Sequence, residues 1–276
     1  MPGVLVAGIS AGVVAIAATV AVERLGGRLG GLLGTLPTTI VPAAAGIAVN
    51  SHTVEGFEAA MAAVPVGMWV DVLFLLCWRL GPRWLPPWSR SARLMAMVAA
   101  SLAMWLCVAL VAVRSLEWAI VAGVAPLLLG GIGMAASLLL GVVATVNPPP
   151  APKGSRKVGV GTLLARGCLA AVAIAVAVSL ASVAGPTVAG IASVFPAIFL
   201  TSMVSLWWSQ GETVQGGAVG PMMLGASSVS AYALIAAVCL PRFGLWSGGG
   251  LAWVLAVCTV TVPAFLWLRS RRSAAI

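Results

Sequence analysis

Apolar residues fill most of this chain in long unbroken runs, separated by short segments rich in Gly, Pro and Arg. A run of 18 or more apolar residues is long enough, as a helix, to cross a hydrocarbon layer about 30 Å thick. Nine runs qualify, at 3–22, 29–49, 58–78, 94–113, 117–146, 163–184, 187–208, 214–239 and 248–268. The pattern predicts an all-α polytopic membrane protein with about nine transmembrane helices. The first run has no basic segment before it, so it reads as a structural helix rather than a cleaved signal. The fifth is too long for one upright crossing and too short for two. Tilt, or a kink near Pro126 or the Gly130–Gly131 pair, would accommodate it.

Composition removes the soluble alternatives. Hydrophobic residues make up 61% of the 276 positions, only 8% are charged, and the mean hydropathy is +1.12; a water-soluble domain carries about 25% charged residues. The net charge of +9 comes from basic residues in short loops, where membrane topology accounts for them, so nucleic acid is not an expected partner and the lipid bilayer is. The five cysteines stand singly within apolar runs, and His52 is the one histidine. Neither a disulfide framework nor a metal site is expected, and no cofactor is implied.

The basic residues also orient the spans. If the loop with Arg79, Arg83, Arg90 and Arg93 is cytoplasmic, nine crossings place thirteen of the fifteen Lys and Arg residues on that side, leaving out only Arg114 and Arg242. The positive-inside bias therefore predicts a multi-pass protein with its N-terminus outside and its C-terminus in the cytoplasm.

The two halves of the chain resemble each other. Gly26, Gly31 and Pro37 recur as Gly185, Gly190 and Pro196, each 159 positions later, and Thr53-Val54-Glu55-Gly56 recurs as Thr213-Val214-Gln215-Gly216 at an offset of 160. This divides the chain into a four-helix repeat (1–114), a linker transmembrane helix (115–147), a Pro-rich basic loop (148–162) and a second four-helix repeat (163–276). Five crossings separate each helix from its counterpart, and an odd number inverts the second copy. Inverted-topology repeats recur in transporters, where substrate sites lie near the midplane between copies, although architecture alone does not establish transport.

The stretch from Leu33 to Leu76, with LGTLPTTIVPA, VEGFEAAM and VGMW, resembles the GlpM-like family of small four-helix membrane proteins. The VFPAIFL segment of the second half resembles the Phe-Pro motif of related small membrane proteins. The resemblance implies a four-helix inner-membrane unit loosely associated with alginate, an exopolysaccharide, here fused in tandem. It implies no mechanism.

Polar residues at membrane depth supply the candidate site. Pro37 with Thr35 and Thr38, and Pro196 with Thr201, interrupt apolar spans, and a helix-interior proline frees carbonyls that hydroxyls, or a bound ion or solute, can satisfy. The alternative is a structural kink. Asp71 is the one carboxylate deep within a span, so it is protonated, paired or facing a cavity; it either binds a proton or cation, or is a neutral acid hydrogen-bonded in the bundle or reaching toward Arg79. His52 and Glu55 at one membrane face, with Glu212 and Gln215 at the other, read as two related gates or as helix N-terminal groups complementing the macrodipole.

No carboxylate pair, Ser-x-x-Lys, metal cluster or phosphate loop supports an enzyme, and none is expected. Two functions remain open: a transporter or channel for a small solute, proton or ion, and a non-transporting membrane subunit assisting envelope-polysaccharide or lipid-precursor assembly. The substrate and oligomeric state are not legible.

Overall fold

A computed structural model describes residues 5, 8–10, 12–13, 16, 36–146, 159–210, 212 and 214–273. Every regular element among them is helical. In chain order these are α1 (Ile40–Asn50), α2 (Val54–Leu80) with a 3-10 turn at Gly81–Trp84, α3 (Arg90–Val121), α4 (Pro126–Val146), α5 (Val160–Val183), α6 (Pro186–Ala192), α7 (Ala197–Gln210), α8 (Val214–Phe243), α9 (Leu245–Ala256), a π segment (Val257–Thr261) and α10 (Val262–Ser273). Six helical stretches among the described residues are long and apolar enough to cross a membrane: Val54–Trp84, Arg90–Val121, Pro126–Val146, Pro186–Trp208, Ala218–Phe243 and Leu245–Ser270. This is the composition of a membrane-embedded helical protein. Most of the first predicted span, and residues 29–35 of the second, lie outside the described residues.

The boundaries follow from local chemistry. Thr53 caps α2, its hydroxyl accepting from the Gly56 N–H at 3.0 Å, and Ser89 caps α3 through the Ala92 N–H at 3.3 Å. Around the fifth span the structure departs from the sequence expectation. The helix before it runs on to Val121, and the next begins at Pro126, so the boundary falls at Ala122–Ala125 rather than near Arg114. Gly123 sits there at φ 88°, its N–H bonding the Ile120 carbonyl while the Val124 N–H bonds that of Ala119. That paired bonding across a left-handed glycine ends a helix, and proline suits the first position of the next. Hydropathy could not see the turn because its residues, AGVA, are themselves small or apolar.

The molecule is centred on α2 and α8, which pack on each other and on α4. Their apolar windows are 78% and 83% buried, against 28% for α3 and 17% for the last span. Small residues permit this approach: a Cβ added at Gly141 of α4 would lie 2.7 Å from the Leu224 Cα of α8, so only glycine fits. Around this trio, α1 lies against α5, α8 and α9, while α7 lies against α3, α5 and α8. Two pairs of boundaries recur at the offset seen in the sequence: α1 ends at Asn50 and α7 at Gln210, and α2 begins at Val54 and α8 at Val214.

Candidate functional site

The predicted span 187–208 is two helices, α6 and α7, separated by Ser193–Pro196. Proline cannot donate to the helix ladder, and the gap is closed by tight turns: the Phe195 N–H bonds Ala192 O at 3.1 Å and the Ala197 N–H bonds Phe195 O at 2.7 Å. Pro37 lies in a turn, Leu36–Thr39, immediately before α1, where both the Thr38 N–H (2.6 Å) and the Thr38 hydroxyl (3.3 Å) bond the Leu36 carbonyl. The carbonyls of Leu36, Ala192 and Phe195 therefore already accept bonds from the chain itself. The Thr201 hydroxyl is likewise turned back onto its own helix, bonding Ala197 O at 2.8 Å and Ile198 O at 3.1 Å.

Asp71 sits on α2, 17 residues past its start, about 26 Å along the axis at ~1.5 Å per residue. It is 1% exposed, between the buried Val70 and Val72. Its Oδ1 accepts the indole N–H of Trp105, on α3, at 2.7 Å. The Trp105 ring stands edge-on to Phe195, 5.3 Å between centroids, so the acid is linked through one indole to the residue preceding Pro196. Arg79, two turns further along α2, does not reach Asp71; it donates to the Ala144 carbonyl at the end of α4 at 2.6 Å.

These parts surround one cavity of about 70 Å³, large enough for a few water molecules. Leu36, Thr39 and Ile40 line it from the first proline turn, Ser193 to Phe199 from the second, and Asp71 from α2. Pro196 is thus part of its wall. Pro37 and Thr38 are in the first turn but not among the lining residues, and Thr35 lies outside the described residues. The remaining walls, from Met68, Ala170, Ala173, Ile174 and Val229, are apolar.

The expected gate residues lie at the two ends. At one end His52 lines a second cavity of about 150 Å³ with Asn50, Ser51, Thr53, Gly56 and Pro186, while Glu55 is exposed in the first turn of α2. At the other, Glu212 is held by Arg93, whose Nε and Nη2 donate to its two carboxylate oxygens at 2.8 and 2.6 Å. The Arg93 guanidinium also bonds the carbonyls of Pro82, Leu85 and Pro86. Arg90 donates to the carbonyls of Trp207 and Trp208. Gln215 opens α8, but its side chain is outside the described residues.

No protein-family model matches the chain, and no curated protein or solved structure matches it either.

The residue that sequence reasoning missed is Trp105. Its signal was position: Trp84, Trp88, Trp118 and Trp246 fall near span ends, whereas Trp105 lies 15 residues inside α3, where a buried indole N–H needs an acceptor. Among the described residues no group of three His, Cys, Asp or Glu side chains is placed to hold a metal. Chemically, the site offers one buried carboxylate with a neutral donor on one oxygen, facing a small, mostly apolar space. Such a group can hold and release a proton or pair with one positive charge.

Proposed function

We propose that this protein is a small-solute or ion transporter or channel of the inner membrane, with the Asp71 cavity as its binding site. The observation that carries the reading is convergence: the one buried acid among the described residues and both proline turns, drawn from positions 36–40, 71 and 193–199, border the same space. Interrupted helices and an intramembrane acid around a cavity are how membrane proteins build sites for polar cargo. Two inverted four-helix repeats, each akin to a GlpM-like unit and joined by α4, give the architecture of the proposal. It is supported by the recurrence of element boundaries at the 160-residue offset and by the placement of α4 against both α2 and α8. The proposed orientation has the N-terminus outside and the arginine-rich end, where Arg79, Arg90 and Arg93 bind helix ends, in the cytoplasm.

Flux in proteoliposomes tests the function. Wild-type protein is expected to carry a proton- or cation-dependent flux that Asp71→Asn abolishes while the near-isosteric amide keeps the fold. Flux of equal size in both proteins would remove Asp71 from the site, and no flux in either would return the protein to the non-transporting reading. Cysteine-accessibility labelling tests the topology; an even number of crossings between counterpart helices would make the repeats parallel.

A further inference from the structure

We infer that the Asp71 cavity selects a small organic ammonium, one positive charge on a compact apolar body, over a bare metal cation. This names the ligand class of the proposed transport site and rests on that reading. The charge requirement comes from Asp71: it is 1% exposed, one of its oxygens takes the Trp105 N–H, and the other has no hydrogen-bond partner among the described residues. The ionised acid would repel an anion, whereas a cation that displaces its proton would compensate it.

A dehydrated metal cation needs several oxygens converging to replace its water shell. Several turn oxygens beside the cavity are already committed to the chain. The proline-turn carbonyls of Leu36, Ala192 and Phe195 accept backbone N–H bonds, and the Ser193 hydroxyl is donated to Gly190 O at 2.7 Å. What surrounds the acid instead is carbon: Phe195 and Phe199 line the space with Met68 and Ile174, and Trp105 stands edge-on to Phe195. Aromatic rings beside a carboxylate suit an alkylated ammonium, whose charge is spread over methyl groups that attract ring faces and gain from leaving water. The volume of about 70 Å³ limits that head to a compact one.

The test is equilibrium binding to the full-length protein in non-ionic detergent, by titration calorimetry with tetramethylammonium chloride, its neutral isostere tert-butanol, sodium acetate, NaCl and KCl. Saturable binding of tetramethylammonium, roughly tenfold or more tighter than tert-butanol and not displaced by equal NaCl or KCl, is expected. Asp71→Asn should abolish it, and Phe199→Leu, which keeps the charge, should weaken it. Tetramethylammonium binding no tighter than tert-butanol, displacement by either metal cation at equal concentration, or full binding by Asp71→Asn would overturn the inference. The wild-type selectivity series decides without any variant, should one fail to fold. Binding without flux would leave the ligand class standing and remove transport. Asp71-dependent proton flux without tetramethylammonium binding would do the reverse.

Discussion

The two central helices, α2 and α8, meet the same packing demand and answer it with different polar chemistry. Both are close to thirty residues long, both rest on α4, and both contain proline, at Pro65 in α2 and at Pro221 and Pro241 in α8. Into its buried face α2 places Asp71, which takes a hydrogen bond from another helix. The position 160 residues later is Ala231, and its surroundings carry the buried serines Ser227, Ser228 and Ser230 instead. Two of these bond carbonyls of their own helix, Ser228 to Gly225 and Ser230 to Ala226. Small hydroxyls of this kind allow close packing and ask little of their neighbours. An acid demands a dedicated donor. The comparison teaches that close packing is shared between the two helices, while the charge-bearing site is built once, on α2.

The largest effect should come from erasing that asymmetry. Ala231→Asp places a carboxylate at a buried position of α8, and an acid at the middle of a membrane helix costs about 3 kcal/mol. Chemical unfolding in detergent should show a loss of that order; stability equal to wild type would mean that α8 can house an acid as readily as α2. Next is Trp105→Phe, which keeps the aromatic contact with Phe195 but withdraws the donor from Asp71. A buried hydrogen bond contributes about 1 kcal/mol, and about 2 kcal/mol when its acceptor is charged, so a loss in that range is expected, and it should vanish when Asp71→Ala has already removed the acceptor. Additive losses in that double-variant cycle would break the link between the two residues.

Smaller again is the effect expected at the arginine-rich end of the same two helices. Glu212→Gln, just before α8, should lower the melting temperature modestly at low salt, and the difference should shrink at high salt as screening shortens the reach of the Arg93 charge. An undiminished difference in high salt would mean that the pair acts through hydrogen-bond geometry alone. The smallest effect belongs to α8 itself. The Ser227 hydroxyl is buried with no hydrogen-bond partner among the described residues, so Ser227→Ala should leave stability unchanged or raise it slightly. A clear loss would show that this serine carries more than packing.

Which of these features the sequence could reveal depends on the range of the interaction behind them. Run length and hydropathy are local, and they located α2 and α8 within a few residues; the proline at 196 likewise marks the gap between α6 and α7 because its missing N–H acts within one helical turn. The turn at Ala122–Ala125 escaped because its stopping signal is a backbone dihedral at Gly123, and glycine is so frequent in this chain that it announces nothing by itself. Asp71 stood out as an isolated acid, but its partner Trp105 is 34 residues away on another helix, and no spacing rule connects them. The same holds for Arg93 and Glu212, 119 residues apart, where only the folded chain shows that an expected gate residue is occupied by an arginine. Thr38 and Thr201 were chosen for hydroxyls at the right depth, yet hydroxyls can turn inward to the nearest carbonyl, and both did.

The span of the arginine contacts also bears on how the protein is made. Arg90 and Arg93 anchor the start of α3 to Trp207, Trp208 and Glu212, and none of those acceptors exists when the ribosome has finished only the first half of the chain. At ~5–20 residues per second, the 119 residues between Arg93 and Glu212 take roughly 6 to 24 seconds to synthesise. Throughout that interval Arg90 lacks the carbonyls of Trp207 and Trp208, and Arg93 has only those of Pro82, Leu85 and Pro86 within reach. Arrival of the α7 end then supplies these partners, making closure of this end a late step of assembly that a nascent chain stopped before residue 207 cannot reach.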